Sequence, residues 1–184
     1  ICMGLGVTDP KGVFGTTVNL EKYFGSDRVM DIPTSENSVT GICAGLAMAG
    51  FKPILTHQRL DFALLSLDQI INNISKTRYM FGGQISCPVV IRMIIGRGWG
   101  QGPTHSQNLQ LLFAGIPGLR VVIPSSPHDA YSLLRASIES KDPVIFLEHR
   151  WLHNSTTKDK LIYEKDSLKS QKILKKGEDF TIVA

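Results

Sequence analysis

Hydrophobic residues along the chain change their spacing from one segment to the next in a regular alternation. Short apolar runs of strand length alternate with segments in which apolar residues recur every three or four positions. The predicted strands are residues 28–32, 53–57, 87–95, 119–123 and 144–147, and the predicted helices are residues 18–24, 36–50, 61–79, 106–114 and 128–140. Strands and helices in alternation indicate right-handed crossovers. The sequence therefore predicts an α/β fold with a mostly parallel twisted sheet and helices on both faces.

Two segments define this pattern most clearly. Residues 87–95 form a continuous apolar run, as expected for a strand that is covered on both faces. Residues 61–79 carry apolar side chains three and four positions apart, which predicts one amphipathic helix. After Glu148 the composition turns polar and the pattern fades. We therefore expect one domain over residues 1–150, with residues 151–184 as a linker and the start of a further domain that includes a strand beginning at residues 181–184.

The loops that follow the strands are the places to look for a site, because ligands of parallel sheets bind at the carboxyl ends of the strands. These loops are residues 33–36, 58–62, 96–107, 124–129 and 148–153. The glycine-rich segment 96–102 fits neither a dinucleotide nor a phosphate motif, because Pro103 stands where the third glycine would be and no Gly-Lys-Ser/Thr follows. It leads instead to His105, next to a predicted helix start.

One carboxylate, Glu36, stands at the start of a predicted helix just after a strand. Pro33 disfavours continuation of the strand, Thr34 or Ser35 can cap the helix, and the helix dipole favours an acid in the first turn. From these residues alone, helix electrostatics is a sufficient explanation of Glu36, and a catalytic role stays open. A nucleophilic Ser106 or a metal-binding histidine pair finds no supporting motif.

Composition narrows the class of protein further. The chain has 20 basic and 16 acidic side chains, and the lysines between residues 158 and 176 alternate with acids. This pattern predicts a solvated surface segment, and we expect no nucleic-acid binding. Three cysteines, Cys2, Cys43 and Cys87, lack metal or redox spacing, which predicts buried free thiols in a reducing compartment. No apolar run reaches membrane-spanning length, so we expect no membrane association.

Several short motifs, taken in their order along the chain, resemble one known family. The motifs are Gly12–Thr17, Arg28–Glu36, Asp68–Asn73 with Lys76, Tyr79–Met80 before Gly82–Gln84, His105–Gln107, Pro117–Val122 with Pro124, and Asp142–Ile145. Together they resemble the beta subunit of 2-oxo acid dehydrogenases, and within it the pyrimidine-binding domain that is shared with transketolases. The resemblance covers nearly the whole chain.

The resemblance implies thiamine diphosphate as a cofactor bound between two chains. Glu36 falls where the family's carboxyl group contacts a pyrimidine ring nitrogen, and a carboxyl in an apolar cleft can hold a proton and share it there. This favours the imino form of the cofactor, whose own nitrogen then deprotonates the thiazolium carbon. By the same analogy Phe62 packs on the pyrimidine, Gln58 lies on the same loop, and His105 reaches the substrate end.

The resemblance also implies partners and ions. The chain has no Gly-Asp-Gly motif followed by Asn, so magnesium and the diphosphate are expected on an alpha-type subunit. Some family members hold potassium with backbone carbonyls, which fall here at Ser137, Ile138, Ser140 and Asp142. A lipoyl acyltransferase is a further expected partner, and the small residues Gly41, Gly45 and Ala49 favour self-association of beta chains. The expected location is the cytoplasm, or an organelle matrix.

The chain departs from the family at several pocket positions. Thr56 stands where an acid is frequent, His57 and Leu60 stand where apolar residues are frequent, and Thr104 stands where a glutamine is usual. The segment Gly102–His105 reads like the transketolase version. Three interpretations follow: a 2-oxo acid dehydrogenase component that decarboxylates its substrate and transfers the acyl unit, a split transketolase-like subunit that moves a ketol unit, or a noncatalytic scaffold subunit.

Overall fold

The computed structural model describes residues 1–98, 100–169, 173 and 175–182. At its centre lies one six-stranded sheet. The strands are β1 (Cys2–Gly4), β2 (Val29–Met30), β3 (Ile54–His57), β4 (Val90–Ile95), β5 (Arg120–Val122) and β6 (Val144–His149). They are ordered β2-β1-β3-β4-β6-β5, and each neighbouring pair is parallel. The predicted α/β class and parallel sheet are confirmed.

Helices cover both faces of the sheet, as predicted. They are α1 (Leu20–Phe24), α2 (Glu36–Met48), α3 (Leu60–Ala63), α4 (Thr77–Met80), α5 (Gln110–Ala114) and α6 (Pro127–Glu139). One face buries a core that includes Val39 and Cys43 of α2, Leu55 of β3 and Phe113 of α5. The opposite face carries a smaller cluster around Cys2, Val29 and Ile94, and α6 lies on this side of the sheet next to Phe146. The central strand β4 is covered on both faces, since all six of its residues are buried.

The prediction of one regular helix over residues 61–79 is wrong, because the segment is helical but irregular. The segment runs through α3, a 3-10 turn at Leu64–Ser66, a π-helical stretch at Gln69–Ile74 and α4. Hydroxyl side chains along it bond to backbone carbonyls: Ser66 to Ala63 at 2.9 Å, Ser75 to Ile71 at 2.7 Å and Thr77 to Asn73 at 2.8 Å. Such bonds bend helices. The apolar spacing survives the irregularity, and Ile70 and Ile74 remain fully buried.

A glycine secures the turn that leads into β5. A Cβ atom at Gly118 would lie 2.1 Å from the carbonyl oxygen of Ser75, and its φ is +94°. Only glycine tolerates both conditions. The close approach fixes the segment before β5 against the irregular helix.

Other boundaries differ from the expectation. Of the helix predicted at residues 106–114, the structure has only α5 (Gln110–Ala114), and a 3-10 turn at Pro103–His105 precedes it. The strand β1 and a 3-10 turn at Arg150–Asn154 were not predicted. Of the strand expected at residues 181–184, residues 181 and 182 are not in a strand, and residues 183 and 184 lie outside the described residues. Beyond residue 150, the hydroxyl group of Tyr163 donates a hydrogen bond to the carboxylate of Glu139 in α6 at 2.6 Å. The domain boundary at residue 150 stays a prediction.

Candidate active site

A small cleft lies at the carboxyl ends of β1 and β3, beside the start of α2. It brings together Glu36, Gln58 and Phe62, three of the residues that the sequence predicts for the site. The other lining residues are Leu5, Ile32, Pro33, Thr34, Thr56 and His57. The enclosed space is about 10 Å³, roughly the room of one water molecule. The cleft cannot enclose a group much larger than a water molecule, so a larger ligand would extend beyond it.

Asp31 connects two of the loops that line this cleft. Its carboxylate accepts hydrogen bonds from the backbone N–H of Gly6 at 2.9 Å and from its own neighbour Ile32 at 2.8 Å. These bonds connect the loop after β1 with the loop after β2. Pro33 then follows, and α2 begins at Glu36 with Ser35 as its N-cap residue, which makes no side-chain capping bond.

Glu36 is the acid of the cleft. It is partly buried and occupies the first helical position of α2, where the helix dipole favours a negative charge. Within the described part of the chain, its carboxylate has neither a hydrogen bond nor an ion pair. The carboxylate is therefore available to a ligand, because no neighbouring side chain uses its oxygens.

Phe62 connects the cleft to His105. The two rings meet edge to face, with their centroids 5.5 Å apart and an interplanar angle of 88°. Nδ1 of His105 lies 3.0 Å from the hydroxyl oxygen of Thr104, and Gln58 donates from Nε2 to the carbonyl oxygen of Leu5 at 3.1 Å. All four site residues that the sequence singled out are therefore close together in the fold, with His105 just outside the cleft lining.

Sequence reasoning missed Arg59, which fixes the loop around His105. Its side chain is buried, and Nη1 donates to the carbonyl oxygen of His105 at 3.3 Å while Nη2 donates to the side chain of Gln101. The guanidinium also lies over the ring of Phe14, 5.4 Å from its centroid. A signal was available, because Arg59 stands directly between Gln58 and Phe62 on a strand-end loop.

Two side chains of the cleft, Thr56 and His57, are polar and buried. Thr56 and His57 are 2% and 4% exposed, and the Oγ1 atom of Thr56 and the Nε2 atom of His57 have no hydrogen-bond partner among the described residues. Burial lowers the pKa of His57 to about 4, so its ring is neutral at pH 7. Orphaned polar atoms of this kind are rare in folded proteins.

In the loop predicted to hold potassium, three of the four expected carbonyl oxygens already accept hydrogen bonds within the chain. The carbonyl oxygen of Ile138 accepts a hydrogen bond from Nζ of Lys52 at 2.7 Å. The carbonyl oxygens of Ser137 and Asp142 accept bonds from Ser140, at 3.2 Å from its N–H and 2.9 Å from its hydroxyl. An ammonium group thus already contacts one of the four expected carbonyl ligands, and its charge disfavours a second cation beside it.

The carboxylate of Asp142, in the same loop, is neutralised by two arginines. The carboxylate of Asp142 pairs with Arg78 and with Arg120, whose Nη2 lies 2.9 Å away. Burial raises the pKa of Asp142, but hydrogen bonds from Arg120 and Arg78 outweigh it and hold that pKa below its ordinary value. This carboxylate therefore has two cations already and little attraction left for a metal ion.

A second, polar cluster lies under a cavity of about 310 Å³ between α6 and the end of β6. Arg92 of β4 donates to Glu148 of β6 through two bonds of 2.6 and 2.9 Å. Nε2 of His153 lies 3.4 Å from the same carboxylate, and the three side chains are 9%, 12% and 8% exposed. Burial raises the pKa of Glu148, but the contact from His153 and the charge of Arg92 outweigh it and hold the pKa below its usual value.

The remaining sequence predictions concern thiols, metals and membranes. Cys2, Cys43 and Cys87 are buried and free, as predicted, and burial raises the pKa of Cys43 to about 12 and that of Cys87 to about 11. Among the described residues no group of three or more His, Cys, Asp or Glu side chains could hold a metal ion. In the same residues no helix has the length and hydrophobicity to cross a membrane.

Comparison with known proteins agrees with this fold. Residues 3–155 match the transketolase pyrimidine-binding domain family, and the chain belongs to this family. It is 40% identical over 174 residues to the pyruvate dehydrogenase E1 component subunit beta of Staphylococcus epidermidis, covering 94% of this chain and 54% of the relative. It is 41% identical over 148 residues to the 2-oxoisovalerate dehydrogenase subunit beta of Bacillus subtilis, covering 80% and 45%.

A solved structure supports the fold alone. A split-gene transketolase in an inactive beta4 tetramer superposes with a TM-score of 0.65 at 19% identity, over 90% of this chain and 48% of that one. The chain spans about half the length of the relatives it matches.

Proposed function

We propose that this chain supplies the pyrimidine-binding wall of a thiamine diphosphate site in an enzyme that decarboxylates a 2-oxo acid and transfers the acyl unit. The observation that carries the proposal is the partnerless carboxylate of Glu36 in a cleft with Phe62, next to His105. The names of the two relatives, a pyruvate and a 2-oxoisovalerate dehydrogenase subunit, support a 2-oxo acid as the substrate.

The cleft has the chemistry that one edge of a heteroaromatic ring requires. Leu5, Ile32 and Phe62 offer apolar surface, while Glu36 and His57 offer polar atoms that no described residue of the chain pairs with. When bound, thiamine diphosphate supplies a thiazolium carbon that adds to the substrate carbonyl. Because the enclosed space is small, the ring would lie against this wall and be covered from the other side by a second chain.

Each site residue then has a distinct task. Glu36 shares a proton with a ring nitrogen through a carboxyl oxygen, Phe62 packs on the ring face, and Gln58 braces the loop after β1 through Leu5. Thr104 orients the ring of His105, which we assign to the substrate end as a hydrogen-bond or proton donor. Arg59 keeps that histidine's loop in place.

The site requires partners. We assign the diphosphate and magnesium to an alpha-type chain, because this chain has no Gly-Asp-Gly motif, and the acyl acceptor to a lipoyl acyltransferase. Self-association of beta chains would use the exposed part of α2, where Ile42 and Met48 flank Gly45; Gly41 instead faces Gln69 of its own chain. We leave potassium out because of Lys52. Location in the cytoplasm or an organelle matrix stays a prediction.

Substitution of Glu36 tests the function. In the full-length protein with its alpha-type partner, Glu36→Gln should lower turnover at least about 100-fold, since positioned proton transfer contributes about that much or more, while the complex still assembles. The matched control is Glu21→Gln, because Glu21 is also an acid in the first turn of a helix. Its side chain is exposed and does not line the cleft. Unchanged turnover in Glu36→Gln would sink the assignment.

One sequence feature favours a second function. Gly102–His105 reads like the transketolase version of the loop, which supports ketol transfer between sugars. Assays of the same complex with a panel of 2-oxo acids and with ketose donors distinguish the two. Activity with neither class, in a complex that binds thiamine diphosphate poorly, would favour the noncatalytic scaffold.

A further inference from the structure

His57 is out of place for a purely structural histidine. It is the last residue of β3, it lines the cleft with Glu36, and its Nε2 atom has no hydrogen-bond partner among the described residues. Side chains alternate across a strand, so His57 shares its face of the sheet with Leu55. Leu55 packs in the core cluster that contains Val39 of α2. His57 therefore lies on the same side of the sheet as the helix that carries Glu36.

The environment also defines what His57 can do. Burial keeps the imidazole neutral at pH 7, and a neutral ring nitrogen either donates or accepts one hydrogen bond without adding charge. It therefore cannot replace Glu36 as an acid. A buried polar atom without a partner is unfavourable for the chain alone, so a group from outside the chain is the natural partner.

We propose that His57 is a positioning residue for the bound heterocycle, and that its Nε2 makes a second hydrogen bond to the polar edge of the aminopyrimidine that Glu36 holds. The inference rests on the proposed function and deepens it. It assigns recognition of the ring to a position where the resembling family usually has an apolar residue, so this chain would fix the ring through two side chains. Thr56 is on the opposite face of β3 and is not part of the proposal.

Ligand binding by matched variants tests the role. Full-length protein with its partner is titrated calorimetrically with thiamine diphosphate, and separately with inorganic pyrophosphate, both in the presence of magnesium. His57→Phe removes the nitrogen and keeps a planar ring, with His57→Leu as a second apolar variant. His57→Gln keeps an amide nitrogen near the position of Nε2, and melting temperatures report folding.

The expected result is specific to the ring. Thiamine diphosphate should bind about fivefold to tenfold more weakly to His57→Phe, the effect of one hydrogen bond, and within about twofold of the original affinity to His57→Gln. Pyrophosphate affinity should stay the same in all variants, because it lacks the pyrimidine. A merely structural histidine would not produce this difference between the two ligands.

Three other results overturn the inference. Equal thiamine diphosphate affinity of His57→Phe and the unaltered protein means that a water or nothing is the partner of Nε2. Equal losses for both ligands mean that His57 acts through the fold of the whole site. If the unaltered complex does not bind thiamine diphosphate, the proposed function is refuted together with the role of His57. The titration of the unaltered complex distinguishes this result from the first two.

Discussion

Breaking the buried pair between Arg92 and Glu148 should strongly destabilise this fold. The pair joins the neighbouring strands β4 and β6 through two short hydrogen bonds, and both side chains are about nine-tenths buried. Glu148→Gln keeps the shape but leaves the guanidinium of Arg92 buried without its counter-charge. Removing one partner of a buried ion pair costs about 3–5 kcal/mol, a large share of the about 5–15 kcal/mol that stabilises a typical domain.

Urea denaturation of the full-length protein, followed by circular dichroism, measures the loss. The double replacement Arg92→Met with Glu148→Leu should be far less harmful than Glu148→Gln alone, because it removes both charges from the interior. Asp166→Asn is the control, since Asp166 and Lys169 form an exposed pair with side chains 76% and 74% accessible. This control should leave the midpoint essentially unchanged.

The Arg92–Glu148 pair should also affect how the free energy of unfolding depends on acid pH. The pKa of Glu148 is lower in the folded than in the unfolded protein, so its contribution is present above the unfolded pKa and is lost as the pH falls through the folded pKa. Glu148→Gln should therefore flatten the acid limb of the stability curve. A loss below about 1 kcal/mol, or a double variant as unstable as the single one, would refute the reasoning.

Two further predictions concern the loop before β6 and the exposed side of α2. The unaltered protein should melt at the same temperature in KCl and NaCl of equal ionic strength, because Nζ of Lys52 already donates to the carbonyl oxygen of Ile138. Lys52→Met should melt at a lower temperature, and Lys158→Met is the exposed control. A rise in the melting temperature of the unaltered protein that is specific to potassium would contradict this account. Ile42→Glu should reduce self-association in sedimentation velocity, since the apolar side chain of Ile42 is 53% exposed on α2. An unchanged sedimentation coefficient would count against α2 as the interface.

The strands were predictable because burial determines their composition. Residues 87–95 had to be a covered strand, and the structure places β4 there with all six of its residues buried. The order of the motifs also placed Glu36, Gln58 and Phe62 on strand-end loops, and the parallel sheet brings those loops together at one edge. Periodicity and topology were sufficient to place these loops at one edge, whereas the choice of Gln58 and Phe62 as site residues came from the family resemblance.

Local irregularities were not predictable from periodicity. The apolar positions between residues 61 and 79 fit a regular helix, yet hydroxyl groups at Ser66, Ser75 and Thr77 compete for backbone carbonyls and the segment breaks up. Long side chains have the same effect on prediction. Arg59 and Lys52 reach carbonyls 46 and 86 residues away along the chain, and no local pattern encodes a contact over such a distance.

The positions that depart from the family resemblance are informative because of where they lie. Thr56 and His57 occupy the carboxyl end of β3, beyond the part of the strand that fills the core, and Thr104 is next to His105. Substitution there leaves the packing of Leu55 undisturbed, but it places Nε2 of His57 in a buried position where no described residue bonds to it. That arrangement is unfavourable for the free chain. A bound group that satisfies Nε2 of His57 would remove the penalty, and this argues that the end of β3 is adapted to a ligand and does not reflect relaxed packing alone.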